Sequence, residues 1–543
     1  MKKTISYLAF CILAIGNAVG APLSPELAIQ RVKDNGNIVA LETGTRASVN
    51  SPRLKLTLKD IEDQPAIYVF EPMENRGFMV VSADDAVPAL LGYSDNGVFD
   101  PDNLPPVLKY WLEEYGNQIE FLRSNSTPGT RGIEESSSEV TFPSSWTPIE
   151  PLISTKWNQN APYNILCPLD GDTKSYTGCV ATSMAQVMKY FNHPAEPTGY
   201  ISYYCSSLRK TLSLNLNEIK FDWNNMLDSY SGSYTPTQAN AVATLMQAAG
   251  YSVQMEYSAG ESGTVSGILP YAFTTYFRYD KSVTYYKRAQ YEFSKWAQMI
   301  YDNLKNVGPV IYDGQGSAGG HSFICDGYQG NGYFHFNWGW GGVSNGYFLL
   351  DVLNPQALGI GAGAGGYNFR QSALLNLKPA TDAGSSKVQD QVYMYGTMVG
   401  SVNSSTLTLD LVDNTTYLGW GYLGVGKTII FDLGATSENI NDPSDTFSLV
   451  SENQYNKRIE LDNFSIWPLE STINGKLESL RPTFSLSSLD LKDGKYKVTA
   501  SYQPLNGEWA PITCDYGNFN YCILTKSGNS YSVQNFNPVQ FSS

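Results

Sequence analysis

The spacing of hydrophobic and polar positions divides this chain into four stretches. Up to about residue 125 it mixes two periods. Short apolar runs at 67–70 and 77–82 predict strands, while Leu108, Trp111, Leu112, Tyr115 and Ile119 recur at helical spacing. They predict an amphipathic helix over 104–122, opened by Pro105-Pro106. The pattern then lapses into Ser124-Asn125-Ser126-Thr127-Pro128-Gly129-Thr130-Arg131-Gly132 and a Glu/Ser run at 134–139, an exposed linker. Arg131-Gly132 is the most obvious place to cut it, although an ordinary interdomain connection reads the same way. A third stretch, about 140–380, returns to mixed periods. Val180, Met184, Val187 and Met188 form one helical face that ends at Asn192-His193-Pro194. Apolar runs at 322–325 and 333–338 predict two strands paired through a turn at 327–332. From about 385 onward, short runs at 406–411, 428–431, 495–501 and 521–525 alternate with turns. That rhythm predicts one or two β-sandwich modules.

The extreme N-terminus differs from all of these. Lys2-Lys3, an apolar run at 7–15 and small residues at Ala18-Val19-Gly20-Ala21 have the form of an export signal over 1–20. Phe10 stands before Cys11 where a lipidated cysteine wants a small neighbour, so a plain secretory signal is expected. No later run approaches the ~18 apolar residues of a membrane span.

Composition narrows the function classes. The 543 residues carry a formal charge of −15, against the basic surface that nucleic acid requires. With 42% hydrophobic residues the chain is globular, and 13% aromatics, including 37 Tyr, suit β-rich exported domains. The seven cysteines do not form a disulfide framework, though Cys514 and Cys522 flank a turn and are placed either to pair or to stay free. No Cys/His grouping has zinc spacing, so neither metal nor cofactor is expected.

Only three histidines are present, His193, His321 and His335. Chemistry that needs an imidazole must use one of them. His193 follows a helix end before proline and His335 sits mid-strand among aromatics, both structural settings. His321 follows Gly319-Gly320, where small residues leave room for a substrate backbone. Its expected partner is Cys179, in the first turn of the 178–190 helix. There, unpaired N–H groups and the dipole favour a thiolate, and a neighbouring imidazolium would favour it further. Asn337 is expected to fix the His321 tautomer through its side-chain carbonyl, with Trp338 shielding that bond. The Cys179 N–H and the Gln159 side chain, about twenty residues upstream, are the candidate oxyanion donors.

The segments KWNQNAPYN, TGCVATSMAQVMKYFNHP, GGHSFICDGY and YFHFNWGWGGVSNGYFLLDVLNP occur in the order found in streptopain-like cysteine proteases, and the chain resembles that bacterial branch of the papain-like fold. GFMVVSADDAVPALLGYSDNGVF resembles the family's inhibitory prodomain. The resemblance implies an α+β papain-like catalytic domain at 132–380, preceded by a small α+β prodomain at 21–131 that blocks the cleft as an intramolecular inhibitor. It implies Cys179 as nucleophile, His321 as acid/base, Gln159 as oxyanion donor, Asn337 as orienter and Trp338 as shield. Gly320 and Ser262 match substrate contacts, and the family prefers a bulky apolar residue before the scissile residue. Protein or peptide substrates follow. Residues 381–543 lie beyond streptopain itself; some relatives carry immunoglobulin-like additions there, which here would serve a surface ligand. The glycine-rich run 359–366 lacks the Lys-Ser/Thr of a phosphate loop and is expected to be a mobile loop near the active site. Two rival functions remain: acyl transfer by an amidase or transpeptidase on the same fold, and a surface-binding protein with a vestigial centre.

Overall fold

A computed structural model describes residues 22–34, 52–71, 77–125 (without 86 and 97–98), 142–351 (without 289–292 and 317–318), 371–381, and 391–536 without 412–416, 422–427, 441, 453–458, 463–480, 506 and 515–518. The expected export signal, most of the linker with Arg131-Gly132, and the glycine-rich run 359–366 lie outside the described residues. No described helix is long and apolar enough to cross a membrane.

The N-terminal stretch forms α1 (Pro25–Asp34), strands β1 (Arg53–Lys59), β2 (Pro65–Glu71), β3 (Phe78–Ser82) and β4 (Leu90–Ser94), and α2 (Pro106–Asn125). In the next stretch come hairpins β5 (Leu169–Asp170)–β6 (Thr173–Lys174) and β7 (Tyr200–Cys205)–β8 (Lys210–Asn215). Its helices are α3 (Cys179–Phe191), α4 (Pro236–Ser252), α5 (Leu269–Tyr276) and α6 (Phe293–Asn306). Its long strands are β9 (Thr284–Lys287), β10 (Val310–Gly316), β11 (Gly319–Gly330), β12 (Tyr333–Asn337), β13 (Gly346–Leu349) and β14 (Ser372–Leu375).

The expected prodomain shares a sheet with the domain that follows it. A single antiparallel sheet runs β1-β2-β3-β4-β13-β12-β11-β10-β14-β9, so the first four strands continue the sheet of the later domain. The junction pairs Tyr93 with Tyr347 and Gly92 with Phe348. Gly92 is needed for it, because a Cβ there would lie 2.2 Å from the Phe348 ring. The cause is legible in β2, β3 and β4, which are apolar and buried on nearly every residue. Strands without a polar face must be covered on both sides and cannot end a domain at an open edge.

Helix α2 provides much of that cover. Its apolar face carries Trp111 into a cage of Tyr312, Phe323, Phe336 and Trp338, with ring centroids 5.0–6.1 Å away. Tyr115 Oη donates to the Leu349 carbonyl at 2.5 Å. At the end of the helix the Arg123 guanidinium binds Asp84 at 2.9 Å and Asp60 at 2.8 Å, just before the linker. One core therefore holds residues of α1, β2–β4 and α2 together with residues of α6 and β10–β13.

A second core on the opposite face of β10 and β11 joins α3, α4, α5 and the β7–β8 hairpin. Helix α4 begins with a reciprocal capping box between Thr235 and Gln238, which satisfies backbone donors at its first turn.

The C-terminal stretch is all-β, and the four expected runs lie in strands Thr406–Asp410, Thr428–Asn439, Gly494–Pro504 and Tyr521–Ser527. The two longest pair antiparallel from Phe431↔Pro504 to Asn439↔Tyr496. Side chains from its several sheets meet in one main core. No disulfide joins Cys514 and Cys522, and they stand in different sheets.

Truncating Trp111 removes the largest side chain of the α2 face. Trp111→Ala, in a Cys179→Ala background to prevent self-cleavage, is expected to lower unfolding free energy by roughly 3–5 kcal/mol. Denaturant titration of the two proteins measures the difference.

Candidate active site

Helix α3 starts at Cys179 because Gly178 can take φ 86° and ψ 146°. A Cβ at Gly178 would also lie 2.6 Å from the Met255 side chain and 3.1 Å from the Ser262 carbonyl. The entry is braced by Thr182, whose hydroxyl contacts the Gly178 carbonyl at 3.0 Å and the Thr177 hydroxyl at 2.9 Å. No side chain caps the helix and no acidic residue occupies its first turn, leaving N–H groups around a half-buried Cys179.

Two loops converge on this helix start. The Thr177 N–H donates to the Gln159 carbonyl at 3.1 Å, which brings Gln159 beside the residues preceding Cys179. Trp157, fully buried, accepts from the Gly341 N–H at 2.9 Å and donates from its indole to the Leu227 carbonyl at 2.8 Å. The Gln159 loop is thus pinned between α3 and the Gly-rich turn after β12.

His321 arrives on β11. Across the ladder Gly314 pairs with His321 and Asp313 with Ser322. Strand alternation gives these pairs opposite faces. Tyr312 and Phe323 belong to the core shared with α2, and Ile311 and Ile324 to the core shared with α3. His321 therefore shares the α2 face with Gly314, on which the Tyr110 ring rests so closely that a Cβ would be 2.1 Å from it. Asp313 and Ser322 share the face that meets α3.

The imidazole makes no hydrogen bond to Cys179 or to Asn337 among the described residues. Burial lowers the pKa of the half-buried His321, and the charge of Glu261, on the exposed loop beside Ser262, raises it. The helix-end N–H groups expected to favour a thiolate are opposed in this structure. Burial pushes the Cys179 thiol up to about 11, and the nearby Asp313 carboxylate pushes the same way. The N–H groups of Ser322, Val180 and Cys179 act in the opposite sense and do not prevail. Desolvation, with no imidazole bonded to the sulfur among the described residues, favours the thiol over the thiolate in this form.

Asn337 is held by several neighbours in this structure. Its amide donates to the Thr155 carbonyl at 2.8 Å and the Gln186 side chain at 3.4 Å, and its oxygen accepts from the Gly339 N–H at 3.0 Å. It ties β12 to α3 rather than to His321, since its register partner is Ile324, on the α3 face. Trp338 is buried among Trp111, Phe323, Phe336 and Phe348, on the face that His321 shares. Gly320 is exposed, immediately before the imidazole. The Ser262 hydroxyl closes its own loop, accepting from the Ser258 N–H at 3.0 Å and donating to the Ser258 carbonyl at 3.2 Å; its main chain is the part that faces Gly178.

The other two histidines are structural, as expected. His335 Nδ1 lies 2.6 Å from buried Asp326, which also accepts from the Ile153 N–H at 2.9 Å. His193 Nε2 lies 3.1 Å from the Arg278 carbonyl and meets Tyr279 edge-on. Asp313, Glu261 and Tyr110 were missed. Asp313 ends an apolar run, Val310-Ile311-Tyr312, where period two alone would have placed it on the Ile311 face.

A helix-start cysteine, a strand-borne histidine and a covering helix define a papain-like thiol peptidase in precursor form. The peptidase C10 family model matches residues 157–348, and that of the Spi protease inhibitor matches residues 21–119. The chain is 33% identical over 411 residues to streptopain of Streptococcus pyogenes, spanning 70% of this chain and 100% of streptopain. It is 31% identical over 480 residues to the thiol protease/hemagglutinin PrtT of Porphyromonas gingivalis; the match covers 86% of this chain and 54% of that protein's length. A solved structure of a Prevotella intermedia prointerpain A fragment aligns with TM-score 0.50 at 31% identity, over 61% of this chain and all of the fragment. The chain belongs to the streptopain-like peptidase C10 family: it is a cysteine peptidase made with an inhibitor-type prodomain. These relatives do not favour the acyl-transfer or vestigial readings.

The thiol state can be measured. In the intact chain, iodoacetamide labelling of Cys179 should climb about tenfold per pH unit well above neutrality, as a thiol near 11 requires. After removal of the prodomain, labelling at neutral pH should be faster by orders of magnitude. Equal rates in the two forms would contradict the protonated precursor.

Proposed function

We propose that the chain is an exported endopeptidase precursor in which Cys179 is the nucleophile and His321 the acid/base. The observation that carries this reading is the convergence at the start of α3. The Ser322 N–H, one residue from His321, acts on the Cys179 thiol, while the Gln159 main chain is bonded two residues before the cysteine. In the mature form, with α2 withdrawn, His321 takes the Cys179 proton. The thiolate attacks the scissile carbonyl carbon, and the oxyanion is held by the Cys179 N–H and the Gln159 side chain. The imidazolium protonates the leaving amine. It then accepts a proton from water as that water attacks the thioester, and the carboxylate product leaves with the thiol restored.

The domains follow the same reading: signal 1–20, prodomain 21–131, catalytic domain 132–380 and extension 381–543. Asn337 orients the closed His321 after a change of partners, and Trp338 shields it once Trp111 has gone. Gly320 and the Ser262 main chain receive the substrate backbone. The extension is an immunoglobulin-like accessory module that grips a surface ligand, a reading supported by its long antiparallel strands around one core. Export rests on the sequence pattern of residues 1–20.

Cys179→Ala is expected to abolish both casein hydrolysis and conversion of the precursor in the purified protein. Mass spectrometry beside wild type would map the cut, and a Cys179→Ala chain that still hydrolyses casein would remove the cysteine mechanism. In the mature enzyme, Gln159→Ala should lower kcat by roughly 10²–10³, or about 2.7–4 kcal/mol, with Cys179 still labelled by a thiol-directed epoxide.

A further inference from the structure

The α3 face of β10 carries a group that this reaction does not yet use. Asp313 is 7% exposed, and its register partner is Ser322, whose N–H acts on the Cys179 thiol. Three elements close on its carboxyl. Tyr285 Oη, from β9, donates at 2.5 Å, and Ser266 Oγ, from the turn before α5, donates at 3.0 Å. The Ser322 hydroxyl, from β11, helps to hold the charge from beyond hydrogen-bond length. On the same sheet face, Cys179 of α3 packs against the core that holds Ile311 and Ile324, and the charge of the carboxylate reaches its thiol. No Lys, Arg or His charge acts on Asp313 among the described residues.

A buried carboxylate served only by hydroxyls is costly to keep ionised, and burial pushes Asp313 up to about 6. A hydrophobic residue would fill this position, beside Ile311, without that cost. Instead the chain places a titrating acid on the same sheet face as a thiol that must ionise, which is the situation expected of a functional group. We propose that Asp313 is a positioning residue for this chemistry: its carboxyl, anchored by Tyr285 and Ser266, sets the charge that the Cys179 sulfur faces and so controls how readily the thiol ionises. As a carboxylate it opposes the thiolate, and as a neutral acid it no longer does. Ionisation of the sulfur therefore becomes easier, relative to the pH, once Asp313 is protonated.

This inference rests on Cys179 being the reactive thiol, but its readout needs no peptidase turnover. The rate of Cys179 alkylation by iodoacetamide is followed in the full-length chain by peptide mass spectrometry on both sides of pH 6, with Cys179→Ala as the labelling control. Wild type is expected to rise about tenfold per pH unit except near pH 6, where the rise slackens as Asp313 ionises. Asp313→Asn should abolish that break and label about tenfold faster above it, whereas Asp313→Glu should keep it. An Asp313→Asn protein that melts like wild type and still shows the break overturns the proposal. Should that variant fail to fold, Tyr285→Phe decides. Loss of a donor to the carboxylate must move the break to higher pH, and an unmoved break overturns the proposal. A chain that labels as expected but leaves casein intact would sink the endopeptidase reading and leave this one standing.

Discussion

The ladder between β10 and β11 is the constraint on which the rest depends. Its register, Asp313↔Ser322 and Gly314↔His321, runs without a bulge from Val310 to Gly316. Because side chains alternate faces, a slip of one residue would move His321 to the α3 face and Asp313 to the α2 face together. Each face is pinned by its own core, Tyr312 and Phe323 against α2 on one side and Ile311 and Ile324 against α3 and α5 on the other. Slippage would expose or misplace large apolar groups on both sides at once. The register is therefore far stiffer than the hydrogen bonds of two strands alone would make it.

Inhibition and folding are built from the same contacts. Trp111, Tyr110 and Tyr115 come from α2, yet they pack on strands that carry the candidate site. Cover of this kind does not need to enter the cleft to matter. With these contacts in place His321 makes no bond to the sulfur among the described residues, and burial pushes that thiol up. The linker that follows Arg123 is where severing the chain would turn an intramolecular contact into a dissociable one.

Much of the site was legible in the residues because helix and strand periods are local. The helix opening at Cys179, its end at Asn192, the β11–β12 hairpin and the structural roles of His193 and His335 all follow from neighbours a few positions away. What neighbours a few positions away do not fix is long-range. Thr155, whose carbonyl accepts from the Asn337 amide, stands 182 positions away along the chain. Burial and Asp313, which push the Cys179 thiol up against the helix-end N–H groups, likewise arise from packing. Cys514 and Cys522 flank a short turn yet enter different sheets.

By itself, the amino-acid sequence determined which residues can do the chemistry. Three histidines, one cysteine at a helix start and a Gly-Gly before an apolar strand leave few alternatives, and those constraints are local. Only the tertiary structure decided the state in which those residues are held. Strands β2–β4 have no polar face, so the N-terminal stretch merges into the catalytic sheet and shares its core. Protonation of the thiol, the partners of Asn337 and the carboxyl beside the sulfur are set by desolvation and by charges remote in sequence. Those quantities exist only once the chain has packed.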